Sequence, residues 1–115
     1  MTDSLDFIES FEALAWLEQK DGIWRNVGDS SERLTPEDTL RIVQELYEAG
    51  ATEVLALGIE LLDEIESGSG LRVVLPCDPA ARARVFEVQA RVVRETGSPF
   101  EPDLDKGQAM ITLGW

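Results

Sequence analysis

The spacing of hydrophobic and polar residues along this chain predicts three helices and four strands. A helix is clearly marked after Thr35, because Thr35 is a typical N-cap, Pro36 suits the first helical position and Gly50 suits a left-handed end. Its apolar face consists of residues at three- and four-residue spacings, namely Leu40, Val43, Leu46 and Tyr47.

A second long helix is predicted from Pro79 to about Thr96, with Asp78 as its cap and Gly97 as its end. Its buried arc comprises Ala81, Val85, Phe86, Val88, Val92 and Val93. Gln89 lies within this arc, which indicates a buried amide bonded to backbone. Arg82 projects to the same side, where it either extends to water or pairs with an acid of the N-terminal half.

The N-terminal segment allows two interpretations. Apolar residues between Ser4 and Gln19 fall on one face at helical spacing, which favours a helix. The alternative is a hairpin in which residues 11–18 pair with residues 23–27, because Asp21-Gly22 is a common hairpin turn. Leu5 and Trp16 lie off the apolar face of the favoured helix.

The predicted strands are residues 23–27, 52–62, 71–75 and 108–115. Gly58 within the second strand suggests a bulge or a close backbone approach. Residues 63–70 are predicted to be a turn that joins the second and third strands into a long hairpin. In the last strand, Ile111, Leu113 and Trp115 face one way.

Without the first helix, the order is strand, helix, strand, strand, helix, strand, which is the order of the ferredoxin-like fold. The sequence therefore predicts a single α+β domain over residues 1–115. It is a two-layer sandwich with two helices on one face of a mainly antiparallel four-stranded sheet. Residues 1–20 form an extra helix appended to a core of residues 23–115. A chain of this length can bury one core.

The net charge of −13 is confined to one half of the chain. Residues 1–66 carry 17 Asp and Glu against four Lys and Arg, whereas residues 67–115 carry six of each. This asymmetry argues against nucleic acid or an anionic membrane as the ligand and favours a basic partner. There is no apolar run long enough to span a membrane and no leader peptide, and the composition suggests a cytoplasmic bacterial protein.

Candidate catalytic chemistry is sparse. The chain has no histidine, which excludes histidine-based triads and metal sites, and its single cysteine, Cys77, is predicted to be a buried structural thiol. Glu101, Asp103 and Asp105 alternate like the start of a calcium loop, but the twelfth position counted from Asp103 is Gly114, so a solvated loop is favoured. We therefore predict no enzyme activity, no cofactor and no metal.

The leading hypothesis is a non-catalytic acidic module for protein interaction, such as an inhibitor or immunity-type protein that covers the basic site of a nucleic-acid-handling protein. The predicted partner-binding residues are Leu5, Glu9, Glu12, Trp16, Glu45 and Glu48. Trp16 is either an exposed anchor for the partner or core covered by the following loop.

Two other functional classes stay open. One is a small-molecule-binding or regulatory domain, dimeric through its sheet, with a pocket near Gly58, Gln89 and Trp24. The other is an enzyme that uses only carboxylates, arginine and Tyr47.

Overall fold

The computed structural model describes residues 10–27, 34–97 and 101–114, an α+β structure of three helices and seven strands. None of these helices has the length and apolar character needed to cross a membrane. The helices are α1 (Ala13–Leu17), α2 (Pro36–Ala49) and α3 (Pro79–Thr96). The strands are β1 (Ser10–Glu12), β2 (Trp24–Val27), β3 (Glu53–Leu57), β4 (Glu60–Leu62), β5 (Ile65–Gly68), β6 (Gly70–Val74) and β7 (Met110–Leu113).

The two long helices begin and end where their sequence signals predict. Thr35 caps α2 by accepting a hydrogen bond from the Asp38 N–H, while the Asp38 carboxylate accepts one from the Thr35 N–H. Asp78 caps α3 through its side chain. Gly50 and Gly97 end the helices with φ of 125° and 66°, angles that glycine adopts at little steric cost.

The N-terminal helix predicted over residues 4–19 is wrong for its middle part. Residues 10–12 form β1, which pairs antiparallel with β3, and the helix that follows has only the five residues of α1. The alternative hairpin is wrong as well, because β2 pairs with β5. Pairing at a sheet edge keeps residues 10–12 extended although their local pattern suits a helix. The first six residues of the prediction, 4–9, lie outside the described residues.

The larger sheet has the order β1-β3-β6-β7, with every neighbouring pair antiparallel. One face of this sheet is buried, and it shares a single hydrophobic core with α2 and α3. The core residues of the sheet are Val54, Ala56, Leu71, Val73, Ile111 and Leu113. The predicted facing of Ile111 and Leu113 is confirmed, and Trp115 lies outside the described residues.

The strand predicted over residues 52–62 is interrupted at Gly58, where φ is +61° and an added Cβ would lie 2.3 Å from the Ser69 hydroxyl oxygen. The chain leaves the larger sheet there, forms the β4–β5 hairpin, and returns where the Ser69 N–H donates to the Leu57 carbonyl at 2.7 Å. The region predicted as a turn, residues 63–70, therefore contains β5.

The ferredoxin-like arrangement is not confirmed. That fold needs the strand at residues 23–27 in the same sheet as the other three, but β2 lies in a second sheet of order β2-β5-β4. It pairs parallel with β5, and β1 occupies the edge of the larger sheet. The structure confirms an α+β arrangement with a four-stranded antiparallel sheet, but the predicted order lacked β1 and the β4–β5 hairpin, and the order of elements alone does not determine which strands pair.

Candidate functional site

The order of strands places the two halves of the chain at opposite edges of the larger sheet. β1 and β3, from the acidic half, occupy one side, and β6 and β7, from the neutral half, occupy the other. The second sheet is built entirely from residues 24–68. The acidic half of the sequence therefore contributes one edge of the larger sheet and all of the smaller sheet except Ser67 and Gly68, the last two residues of β5.

Trp16, predicted as a possible anchor for a partner, lies inside this structure. Its side chain is 2% exposed and belongs to the hydrophobic core. The indole Nε1–H donates to a carboxylate oxygen of Glu66 at 2.9 Å. The prediction of Trp16 as a partner contact is therefore corrected, and the alternative that it is covered core is the one observed.

Glu12 also has an internal role. Its carboxylate caps α1 by accepting hydrogen bonds from the N–H groups of Leu14 and Ala15, and it accepts a third from the Tyr47 hydroxyl at 2.6 Å. Burial acts to raise the pKa of the Glu12 carboxyl, but the hydrogen bonds from Tyr47 and the two N–H groups outweigh burial and lower it. The Tyr47 hydroxyl in turn accepts from the Val54 N–H at 3.0 Å.

Tyr47 offers a direct test of this arrangement, because it is the only tyrosine in the chain. Burial, followed by the hydrogen bond to Glu12, raises the pKa of Tyr47 to about 12. A raised pKa means that the fold favours the neutral phenol. The resulting stability is present below about pH 10, the pKa of an unfolded tyrosine, and is lost as the pH rises towards 12.

We expect the ultraviolet absorbance of tyrosinate in the folded protein to titrate with a midpoint near 12. Glu12→Gln is expected to lower the midpoint, because a neutral amide does not oppose the phenolate. Glu18→Gln, at an exposed position, is the control and leaves the midpoint in place. A wild-type midpoint near 10, with circular dichroism still native, would contradict the Tyr47–Glu12 contact.

Of the other four predicted partner-binding residues, Glu45 and Glu48 lie in the described segments. Glu45 forms an ion pair with Arg91 of α3, at the border between the two halves of the chain. Glu48 is exposed on α2. Leu5 and Glu9 lie outside the described residues. Of the six predicted positions, the structure therefore leaves Glu48 as an exposed acid without an ion pair in the described segments.

An ion cluster centred on the buried Arg25 joins the second sheet to α1. Arg25 is only 6% exposed, and its two terminal nitrogens donate to the two carboxylate oxygens of Asp21, each at 2.8 Å. Its Nε–H donates to Glu66 at 2.6 Å, on the same oxygen that accepts from Trp16. The hydrogen bond from Arg25, followed by that from the Ile23 N–H, holds the pKa of Asp21 well below its usual range.

The second sheet also has exposed apolar side chains. Trp24 is 37% exposed, Ile65 is 38% exposed and Leu61 is 60% exposed. Trp24 and Ile65 are register partners in the parallel pair of β2 and β5. Leu61 is the register partner of Glu66, the residue after Ile65. It therefore lies on the other face of the sheet from Trp24 and Ile65. We call the surface formed by Trp24, Glu60, Asp63, Glu64 and Ile65 the Trp24 surface.

The carboxylates of the Trp24 surface are not neutralised within the described segments. Glu60, Asp63 and Glu64 are exposed, and none of them has an ion pair there. Asp63 and Glu64 form the two-residue turn of the β4–β5 hairpin, with φ of 54° and 65°. Both angles lie in the left-handed region, which hairpin turns of this kind normally fill with Asn-Gly. Asp is also common at the first of these positions, so the unusual residue of the turn is Glu64, where the backbone favours glycine.

The sequence predicted this hairpin tip as a turn, within residues 63–70, and placed Trp24 near a possible pocket. A usable signal was present, because residues 60–66 alternate four acids with three large apolar residues and contain no base. Only the pairing of β5 with β2 shows that Ile65 and the turn before it lie beside Trp24.

Three other side chains singled out from the sequence, those of Cys77, Gln89 and Arg82, can be compared with their predicted positions. Cys77 is exposed, which corrects its prediction as a buried thiol, because it precedes the cap of α3 instead of entering the core. Gln89 is buried as predicted and bonds to Asp103 and to the Thr112 carbonyl. Arg82 pairs with Asp105, an acid of the C-terminal half and not of the N-terminal half.

Among the described residues, no group of three or more acids or cysteines is arranged to hold a metal ion.

The described cavities do not include the residues suggested for a small-molecule pocket. A groove of about 620 Å³ between α2 and α3 is lined by side chains of both charges, including Glu48, Arg84 and Arg94. The cavity beside β7 has a volume of about 280 Å³. Gly58, Gln89 and Trp24 line neither of these cavities.

A comparison of the chain with protein-family models, with curated proteins and with solved structures finds no match.

Proposed function

We propose that this chain is a non-catalytic acidic module that binds a basic protein, in the manner of an inhibitor or immunity-type protein that covers the site of a nucleic-acid-handling target. The observation that carries the proposal is the segregation of charge. The half with a net charge of −13 contributes β1 and β3 of the larger sheet and all but the last two residues of the second sheet. An acidic side of this kind raises the association rate with a basic partner by long-range attraction.

The Trp24 surface supports the same proposal with a specific place of contact. Tryptophan is the residue type most enriched at the energetic centre of protein interfaces, and here it lies beside Ile65 with carboxylates around it. An apolar centre with a charged rim is the usual anatomy of an interface. Trp24 is 37% exposed and Trp16 is 2% exposed, which supports Trp24 in place of Trp16 as the proposed contact.

The composition supports a role without catalysis, because a chain without histidine lacks the side chain most often used for proton transfer at neutral pH. The exposed thiol of Cys77 suits a reducing compartment such as the cytosol. Both points are consistent with a small acidic protein that acts by occupying a surface of its target.

The test is capture of a partner from a lysate of the source organism on the immobilised chain. We expect a basic protein to be retained at about 20 mM salt and released at about 0.5 M, where charges are screened over a few ångströms. With the partner identified, the association rate in solution is expected to fall steeply with added salt. Retention that is the same at both salt concentrations, or capture of no basic protein, would contradict the proposal.

Two matched triple variants test which part of the surface attracts the basic partner. Each removes three exposed negative charges, so that the net charge changes equally. We expect removal on the Trp24 surface to slow association about tenfold at low salt, and removal on the other half to change it about twofold or less. Equal effects would show that net charge alone matters. The variants are Glu60→Gln with Asp63→Asn and Glu64→Gln, against Glu87→Gln with Glu95→Gln and Glu101→Gln.

A further inference from the structure

We infer that the Trp24 surface selects arginine side chains over lysine, so that its partner binds through an arginine whose guanidinium stacks on the Trp24 indole and pairs with the carboxylates of the adjoining turn. This inference rests on the proposed function, because it names the partner chemistry of the same surface.

The geometry places an aromatic face and two carboxylates at one end of the second sheet. The Trp24 N–H donates to the Glu64 carbonyl at 3.2 Å, so the strand that carries the indole starts beside the turn. Ile65, the residue after the turn, is the register partner of Trp24 and supports one side of it. β2 is an edge strand of its sheet, which leaves the indole 37% exposed.

No cation of the described segments occupies this position. Arg25 follows Trp24 in β2, but its guanidinium is buried and donates to Asp21 and Glu66. The cation–π contact found in the described residues is elsewhere, with Arg82 5.9 Å from the centre of the Phe86 ring. Within the described segments, the exposed ring of Trp24 and the exposed carboxylates of Asp63 and Glu64 have no cation paired with them.

Arginine fits this surface better than lysine for a physical reason. The guanidinium is planar and weakly hydrated, so it stacks on an indole while its edge donates two parallel hydrogen bonds to a carboxylate. The lysine ammonium is a compact, strongly hydrated ion that forms one of these contacts at a time. The exposed apolar neighbour of Trp24 in the register, Ile65, gives the site an apolar border that favours the less hydrated cation.

The experiment compares dye-labelled oligo-arginine and oligo-lysine peptides of equal length by fluorescence anisotropy at low salt. We expect the arginine peptide to bind about fivefold more tightly, which is the usual scale of a partly exposed cation–π contact. Trp24→Leu keeps an apolar side chain against Ile65 but removes the aromatic face, and it is expected to abolish the preference. Trp24→Phe is expected to restore part of it.

A second variant removes the carboxylates without weakening the fold. Asp63→Asn with Glu64→Gly installs the residues that a turn with two positive φ angles prefers, so its melting temperature should equal or exceed that of the wild type. We expect both peptides to bind it several-fold more weakly while the preference for arginine persists. A loss of affinity in this variant cannot be attributed to unfolding.

The outcomes separate this inference from the proposed function. Equal affinity of the wild type for the two peptides, binding of neither peptide, or a preference that survives Trp24→Leu would overturn the choice of arginine. In each of these cases a salt-sensitive basic partner captured from the lysate would still support the proposed function. A preference for arginine without any salt-sensitive partner would leave the arginine contact in place and contradict the proposed function.

Discussion

Trp16→Ala is expected to lower the free energy of unfolding by about 3–5 kcal/mol, the range found when a large aromatic is truncated in a core. The side chain is 2% exposed and packs in the main hydrophobic core, so its removal leaves a cavity that the surroundings fill only partly. It also removes the donor to Glu66. Because a domain of this size is stable by about 5–15 kcal/mol, the loss is a large share of the total. Urea unfolding followed by circular dichroism measures it.

Trp24→Ala is the matched control for this prediction. The same residue type is truncated, but at a position that is 37% exposed on an edge strand, so we expect a loss of about 1 kcal/mol. Equal losses for the two variants, or a larger loss at position 24, would show that Trp16 does not belong to the core. Trp16→Phe distinguishes packing from hydrogen bonding, because it retains most of the volume and loses only the indole N–H.

Glu66→Ala is expected to cost about 3 kcal/mol, the lower end of the range for removing one member of a buried ion pair. The substitution leaves Arg25 buried with one of its two carboxylate partners, Asp21, and it leaves the Trp16 N–H without its acceptor. A buried donor without a partner loses the free energy of its former hydration. The loss of stability therefore comes mainly from Arg25 and the Trp16 N–H, which remain buried with fewer partners.

Glu60→Ala, on the neighbouring strand of the same sheet, is the control for this second prediction. Its side chain is exposed and has no ion pair within the described segments, so the free energy of unfolding should change by less than about 0.5 kcal/mol. If Glu66→Ala lowered the free energy of unfolding as little as Glu60→Ala, the ion cluster around Arg25 would not hold the second sheet to α1. Measurement of both variants in urea at the same pH decides between these results.

The long helices and their ends were predictable from sequence because their signals are local. Thr35 with Pro36, and Asp78 with Pro79, place caps and prolines at the first turn, and Gly50 and Gly97 supply the left-handed ends. Each of these features depends on atoms within a few residues along the chain. The same holds for the buried arc of α3, in which Gln89 was expected to be a satisfied amide.

The strand at residues 10–12 and the break at Gly58 were not predictable in the same way. A short segment such as residues 10–12 forms a strand only when a partner strand supplies its backbone hydrogen bonds, and that partner, β3, is some forty residues away. Gly58 was recognised as a special position. The direction that the chain takes after it depends on the packing of β5 against β2.

For the candidate site, the sequence by itself determined the size of the negative charge, its confinement to residues 1–66 and the absence of histidine. Charge is a sum over residues and needs no fold. Only the tertiary structure decided which of Trp16 and Trp24 is exposed and which of the described acids accept hydrogen bonds from other side chains. Glu12 and Glu66 look like Glu60 and Glu64 in sequence, yet the first two are engaged by Tyr47 and Arg25. These contacts join residues more than thirty positions apart, so packing and not local pattern selects the surface available to a partner.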